Sequence, residues 1–140
     1  MGCKNNSTNI TTTLAAGSID SPYYVQVHIG QKLCSPVCVE KVPIFTPTFS
    51  VVSFAEVGSG QYVATIKVEG IIYSNPCEGN TCATRIQTVN QTFPIPFVSA
   101  TAPTSVTISA GTITNSLLAA HCQNYSRDFE SNIPITLTVA

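Results

Sequence analysis

The chain has 140 residues, the size of one domain with a hydrophobic core of its own. Only 9 % of the residues are charged and the net charge is -1, whereas an ordinary soluble domain has roughly 25 % charged residues. This balance excludes the strongly basic surface of nucleic-acid-binding proteins, and no apolar run is long enough for a membrane-spanning helix.

The N-terminal segment is polar, and residues 1–20 predict an extended arm before a single domain over residues 21–140. No continuous apolar stretch marks a secretory signal peptide in this segment. Eighteen threonines and fourteen serines replace charges as the source of solubility. Threonine also favours strands, so this composition indicates a β-rich domain.

Strand signals begin at residues 23–29, where apolar and polar side chains alternate as in a half-buried strand. Residues 48–57 are apolar in both phases and predict a strand that is covered on both faces. Glycines at both ends of 58–60 provide the permissive backbone for a reversal. Residues 61–69 alternate again, so the two segments predict a hairpin.

The next segments carry weaker strand signals. Residues 71–73 predict a short strand before a turn at Asn75-Pro76, and residues 84–89 predict a more polar strand that is exposed or at an edge. The sequence FPIPF at 93–97 cannot be central, because each proline removes a donor from the hydrogen-bond ladder. We expect it on an edge or in a crossover between sheets, as an apolar segment that could pack against a neighbour.

Ala110-Gly111 predicts a tight reversal between strands at 106–109 and 112–114, and residues 135–139 alternate as a closing strand. Near residues 116–128, apolar residues recur at helical spacing after a capping serine. The sequence therefore predicts an all-β fold with at most one short helix near residues 116–128. The expected architecture is an antiparallel β-sandwich or jelly-roll-like pair of sheets, with a closed barrel as the alternative.

Four cysteines form two closely spaced pairs that leave several chemistries open. Cys77 and Cys82 stand at the two feet of a predicted turn, and Cys34 and Cys38 flank a shorter segment. Each pair could therefore close a local disulfide. The same four residues could ligate zinc, although the gaps of three and four residues differ from the usual two.

Cys3 and Cys122 are the two remaining disulfide candidates. If they pair with each other, the ring encloses nearly the whole chain and anchors the N-terminal arm. If they do not, each could bridge to another copy of the chain. Free thiols are the third possibility for all six cysteines.

Catalytic signals are weak. His121 and Cys122 are neighbours in the chain, which directs their side chains apart on either a strand or a helix. His28 is expected at the surface, and Asp128 and Glu130 are the only close acidic pair. No nucleophile elbow and no phosphate-binding loop occurs, so the sequence predicts no enzyme, no cofactor and no metal site.

Few charges on threonine-rich strands mean little repulsion between copies. We therefore expect a non-enzymatic structural subunit of a large assembly, a phage virion protein such as a capsid decoration, head-fibre or tail component. Its partners would be copies of itself and other structural subunits. Synthesis without a recognisable signal peptide, together with paired cysteines, fits a virion or extracellular location.

The alternative is an extracellular carbohydrate- or protein-binding β-sandwich module of a secreted or surface protein. Its platform for a surface glycan or receptor would be formed by Tyr24, Tyr62 and Tyr73, if these rings lie near one another.

Overall fold

The computed structural model of the protein describes residues 8–14, 21–38, 41–74, 77–78, 81–82, 85–118 and 125–140. Its strands are β1 (Thr8–Leu14), β2 (Tyr23–Cys38), β3 (Ile44–Gly58), β4 (Gln61–Ser74), β5 (Cys77–Glu78), β6 (Thr81–Cys82), β7 (Arg85–Val98), β8 (Val106–Ala110), β9 (Thr114–Leu117) and β10 (Tyr125–Val139). Within these ranges no helix is long and apolar enough to cross a membrane.

Two antiparallel sheets pack face to face, which confirms the predicted β-sandwich. The five-stranded sheet has the order β1-β2-β10-β8, and β9 pairs with β10 beyond the end of β8. The three-stranded sheet has the order β3-β4-β7, and β5 and β6 form a separate ribbon. The chain therefore crosses between the sheets after β2 and again after β7.

One apolar core fills the space between the sheets. Alternation along β2, β4 and β10 directs every second side chain into it. Fully buried examples are Val27, Ile29, Leu33, Ile66, Ile133 and Leu137. Phe45 of β3 meets Phe129 of β10 edge to face, with 6.1 Å between ring centroids, so an aromatic contact joins the two sheets.

The hairpin of β3 and β4 turns at Ser59 and Gly60, where the sequence predicts a reversal. Gly60 has φ 72°, a left-handed conformation that glycine adopts without steric cost. The strand predicted at 61–69 is confirmed as part of β4, which continues to Ser74 and includes the short strand predicted at 71–73.

The proline-containing segment lies in β7 at an edge of the three-stranded sheet, as predicted. Pro94 and Pro96 are exposed, whereas Phe93, Ile95 and Phe97 are buried. The rings therefore pack into the protein's own core, and the prolines are the exposed side chains between them.

The strand predicted at 48–57 is not covered on both faces. It belongs to β3, an edge strand whose outward side chains are exposed. Register shifts place Val52 and Val57 as extra residues in bulges. Each bulge shifts the alternation by one residue, which is why both phases look apolar in the sequence.

The hairpin predicted around Ala110-Gly111 is also wrong. Both β8 and β9 pair with β10, one after the other, rather than with each other. The gap between β8 and β9 lies beside Pro134 of β10, which has no N–H to donate. Gly111 instead donates its N–H to the Pro134 carbonyl, at 2.7 Å between N and O.

A helix near residues 116–128 does not form in the described residues. β9 ends at Leu117, β10 begins at Tyr125, and residues 119–124 lie outside the description. Leu118 donates its N–H to the Asp128 carbonyl at 2.9 Å, so the pairing of β9 with β10 extends to Leu118. In the predicted arm, Thr8–Leu14 forms β1, and the arm's other residues lie outside the described part.

Candidate interaction surfaces

The outward side of the five-stranded sheet, which we call the polar face, carries two contacts between β2 and β10. His28 Nε2 lies 2.6 Å from Glu130 Oε1, and Lys32 Nζ lies 2.7 Å from Asp128 Oδ1. Both carboxylates of the close acidic pair are therefore engaged by basic side chains of the neighbouring strand. Surface contacts of this kind contribute only about 0–1 kcal/mol each to stability.

The outward side of the three-stranded sheet, which we call the apolar face, has a different character. Ile44, Tyr73 and Ile86 are directly opposite one another on β3, β4 and β7. Their exposed fractions are 62 %, 39 % and 59 %. Further exposed apolar side chains near the other end of this sheet are Val52, Val57 and Val98. Apolar side chains thus remain in contact with water at both ends of the sheet.

The centre of the apolar face is polar. Lys67 Nζ lies 2.8 Å from Glu69 Oε1, two residues along the same strand. A shallow, open hollow of about 500 Å³ lies beside this pair. Its outward lining residues are Thr46, Thr48, Glu69, Ile71, Thr88 and Asn90. This hollow presents hydroxyl, amide and carboxylate groups within a short distance of the apolar row.

Beneath this face, β3 and β4 approach closely at Gly70. A Cβ atom added to Gly70 would lie 2.8 Å from Pro47 Cα and 2.8 Å from the Thr46 carbonyl oxygen. It would also lie 2.9 Å from Cε1 of Phe45, whose ring occupies that space. Glycine is required there because the neighbouring backbone leaves no room for a side chain.

The predicted tyrosine platform is not assembled. Tyr24 is 56 % exposed on the polar face, and Tyr73 lies on the apolar face on the opposite side of the molecule. Tyr62 is buried and stacks on Phe97, with 5.6 Å between ring centroids. The sequence could have indicated that Tyr62 is buried, because alternation places it on the same strand face as Ala64 and the other buried residues of β4.

Tyr62 has a perturbed hydroxyl. Its removal from water and the nearby Glu56 carboxylate, which also accepts a hydrogen bond from the hydroxyl, raise the pKa of Tyr62 above its ordinary 10.0. All these causes favour the neutral phenol. The phenol therefore keeps its proton at neutral pH.

The cysteine pairs lie in two different places. Cys77 is directly opposite Cys82 in the β5–β6 ribbon, and Cys34 and Cys38 lie in β2 around a wide bulge, where residues 33–36 oppose only residue 127 of β10. The side chains of these four cysteines are outside the described part, so disulfides and zinc ligation both remain predictions.

Cys3, Cys122 and His121 lie outside the described residues altogether. Among the residues that are described, no three His, Cys, Asp or Glu side chains converge where they could hold a metal ion. Within the same residues, every buried side-chain nitrogen or oxygen has a hydrogen-bond partner. The described core therefore presents no unsatisfied polar group that could serve a substrate.

Sequence reasoning missed the row on the apolar face and both contacts on the polar face. Local alternation shows which side chains share a strand face, but it does not give the register between distant strands such as β2 and β10. Ile44 and Ile86 are 42 residues apart in the chain, and only the pairing of both strands with β4 brings them into one row.

Comparison of the chain with protein-family models, curated proteins and solved structures finds no match. A functional interpretation must therefore come from the geometry and chemistry of these two faces and of the sheet edges.

Proposed function

We propose that the protein is a non-enzymatic structural subunit of a large assembly and packs against further copies of itself through the apolar face. One observation carries this proposal. Six of the ten exposed large hydrophobic side chains among the described residues lie on the three strands of this one sheet. Exposed apolar groups concentrated on one surface are a common mark of a protein–protein contact.

The row of Ile44, Tyr73 and Ile86 would supply most of the binding energy. Burying a large apolar side chain completely contributes about 1.5–3 kcal/mol, and covering the 39–62 % of each of these residues that is exposed would contribute a corresponding part of that value. The row crosses the sheet in a straight line, so a flat partner surface could cover all three side chains together. A second copy of the same sheet has such a surface.

Charge also favours a copy of this chain as the partner. Lys67 and Glu69 lie near the centre of the apolar face, two residues apart on β4. In a two-fold contact, a residue of one copy that meets a given residue of the second copy has that relation returned, so each such contact occurs twice. Lys67 of one copy could then approach Glu69 of the other, which replaces like-charge repulsion with attraction.

The finer form of the proposal is a phage virion protein, a capsid decoration, head-fibre or tail component, with other structural subunits as further partners. The low charge of the chain and its closely spaced cysteines support a virion or extracellular location, because disulfides persist in oxidising surroundings.

The hollow on the apolar face favours a second candidate, a glycan-binding module. Its hydroxyl, amide and carboxylate lining lies beside the exposed ring of Tyr73, and sugars bind to such combinations of polar groups and an aromatic surface. A glycan-array screen tests this candidate. Binding that disappears in Tyr73→Ala while the wild-type protein stays monomeric would favour it over the assembly subunit.

Sedimentation velocity over a range of concentrations tests the main proposal. We expect the wild-type protein to self-associate and the double variant Ile44→Lys/Ile86→Lys to self-associate at least tenfold more weakly, because each lysine would have to lose its hydration in the contact. The matched control is Tyr24→Lys/Ser109→Lys, whose positions flank Thr136 in a row across the polar face. A wild-type protein that stays monomeric at every concentration would contradict the proposal.

A further inference from the structure

Most open sheet edges in the described structure carry features that hinder the addition of another strand. In β7, Ser99 donates its N–H to Gly60 of the neighbouring turn at 3.0 Å. The backbone groups of successive residues in a strand point to opposite edges. Since the Ser99 N–H points towards the neighbouring strand, the nitrogens of Pro96 and Pro94 lie on the open edge of β7, where neither can donate a hydrogen bond. In β3, Pro47 and two bulges interrupt the edge.

The edge formed by β8 and β9 is interrupted at Gly111, opposite Pro134. The edge formed by β1 differs from the other three. Its seven residues, TNITTTL, pair with β2 without a register shift. They contain no proline and no charged side chain. A regular, uncharged strand with an open edge is a template for pairing with another strand.

The hydrogen-bond pattern of the sheet determines which residues of β1 direct their N–H and C=O groups to the open edge. Ser105 and Ala140 exchange both of their backbone hydrogen bonds, at 3.2 and 2.9 Å. Successive residues of a strand direct these groups to opposite edges, so the registers from β10 through β2 to β1 fix the phase. The residues whose N–H and C=O groups face the open edge are Thr8, Ile10, Thr12 and Leu14.

We propose that β1 pairs antiparallel with β1 of a second copy, about a two-fold axis at Thr11. This would join two five-stranded sheets into one continuous sheet. The inference rests on the proposed function, since it names a second contact by which the same subunit would assemble. Strand addition at an edge is a recurring mode of protein recognition.

The register of this pairing is self-complementary. With Thr11 opposite its own copy, Thr8 meets Leu14 and Ile10 meets Thr12 of the second strand. All of these residues present backbone groups to the open edge, so every edge donor in β1 finds an acceptor. A symmetric pairing of a strand with itself requires this match, and β1 satisfies it over its full length.

Side chains also suit the pairing. Thr11 would face Thr11 of the copy on the outer face, and threonine pairs across strands are favourable. On the inner face, Ile10 already packs against the core and would be covered further. The described residue directly opposite Thr11 in β2 is His28, which is ionisable. The two copies of His28 would be about three strand spacings, or about 14 Å, apart, beyond the Debye length of about 8 Å.

Residue-resolved hydrogen exchange of the wild-type protein at low and high concentration tests the pairing. We expect the amides of Ile10 and Thr12 to exchange at least tenfold more slowly at high concentration. The amides of Thr11 and Thr13, which face β2, should be protected at both concentrations. Fast exchange of Ile10 and Thr12 in a sample that is self-associated would overturn the inference and leave the proposed function standing.

Thr12→Pro provides the second test, because it removes one edge donor from each copy while β1 keeps its bonds to β2. The expected result is at least a tenfold weaker self-association. Ala110→Pro is the matched control, since it removes an edge donor from β8 in the same sheet and should leave the association unchanged. Should Thr12→Pro fold and associate like the wild type while Ile44→Lys/Ile86→Lys associates at least tenfold more weakly, only the β1 pairing is overturned.

Discussion

The two outer faces of the sandwich are made from the same threonine-rich composition, yet they differ in what they leave exposed. On the polar face, His28 and Lys32 engage Glu130 and Asp128 across adjacent strands. On the apolar face, the only ion pair among the described residues lies along one strand, and exposed apolar side chains remain at both ends. The charged side chains named on the polar face have partners within the molecule, whereas the apolar side chains named on the apolar face remain in contact with water.

This difference indicates where the molecule would meet others. Neither face contributes to the core, so the fold does not require apolar residues on either one. The side chains of Ile44 and Ile86 nevertheless remain largely in water, which is the expected pattern when a surface is covered by a partner. With the β1 edge as a second contact, such a subunit could propagate into an extended array.

The largest expected difference between the sheets concerns two matched phenylalanines. Phe129 and Phe49 each meet another phenylalanine edge to face, at 6.1 and 6.3 Å between ring centroids. Phe129→Ala should lower the free energy of unfolding by about 3–5 kcal/mol, because its ring is fully enclosed. Phe49→Ala should cost about 1–2 kcal/mol, because its ring already contacts water. Equal losses in chemical denaturation would contradict this ranking.

Two glycines provide the next comparison. Gly70→Ala should lower the free energy of unfolding by about 1–3 kcal/mol, because the new Cβ would overlap the backbone of β3. Gly30→Ala on the polar face should be neutral or stabilise by about 0.5 kcal/mol, since its nearest neighbour, the Asn9 carbonyl oxygen, would be 3.9 Å from the Cβ. Thermal or urea unfolding measures both, and a destabilised Gly30→Ala would show that the polar face is more tightly packed than described.

A smaller effect is expected at the carboxylates of the two faces. Glu130→Gln and Glu69→Gln should each cost less than about 1 kcal/mol, because both contacts are partly in water. Glu130→Gln should cost more, since the Glu130 side chain is 22 % exposed and Glu69 is 52 % exposed. Urea denaturation in low and high salt checks the ranking, and the difference should shrink in high salt.

The smallest effect at neutral pH is expected for Tyr62→Phe, but it should grow in alkali. The pKa of Tyr62 is raised in the folded protein above its unfolded value near 10.0. Below that pH the folded and the unfolded protein both hold the hydroxyl proton, so ionisation of Tyr62 does not change the free energy of unfolding there. Above that pH the unfolded state loses its proton first, so the wild type should lose stability as pH rises towards the folded pKa. Tyr62→Phe should lose less over the same range; identical profiles would contradict the assignment.

Much of the fold could be predicted from the sequence, because alternation is a local property. The phases of β2, β4 and β10 follow from their apolar residues, and the two prolines of β7 indicate an edge. The failures have physical causes. A glycine serves a hairpin and a bulge equally well, so Gly111 could not distinguish them, and the extra residues Val52 and Val57 concealed the alternation of β3.

The candidate surfaces were less predictable. Low charge indicated association in general, but the exposed row depends on the registers of β3 and β7 with β4, which no local pattern specifies. The predicted tyrosine platform failed for a different reason. Tyr24 and Tyr73 belong to different sheets, and Tyr62 occupies the buried phase of its strand.

Hydroxyl-radical footprinting of the wild-type protein at low and high concentration tests the central claim most directly, because Tyr73 and Tyr24 report on the apolar and polar faces in one sample. We expect the labelling of Tyr73 to fall as concentration rises and the labelling of Tyr24 to stay constant. Protection of Tyr24 instead of Tyr73, or unchanged labelling of both, would contradict assembly through the apolar face.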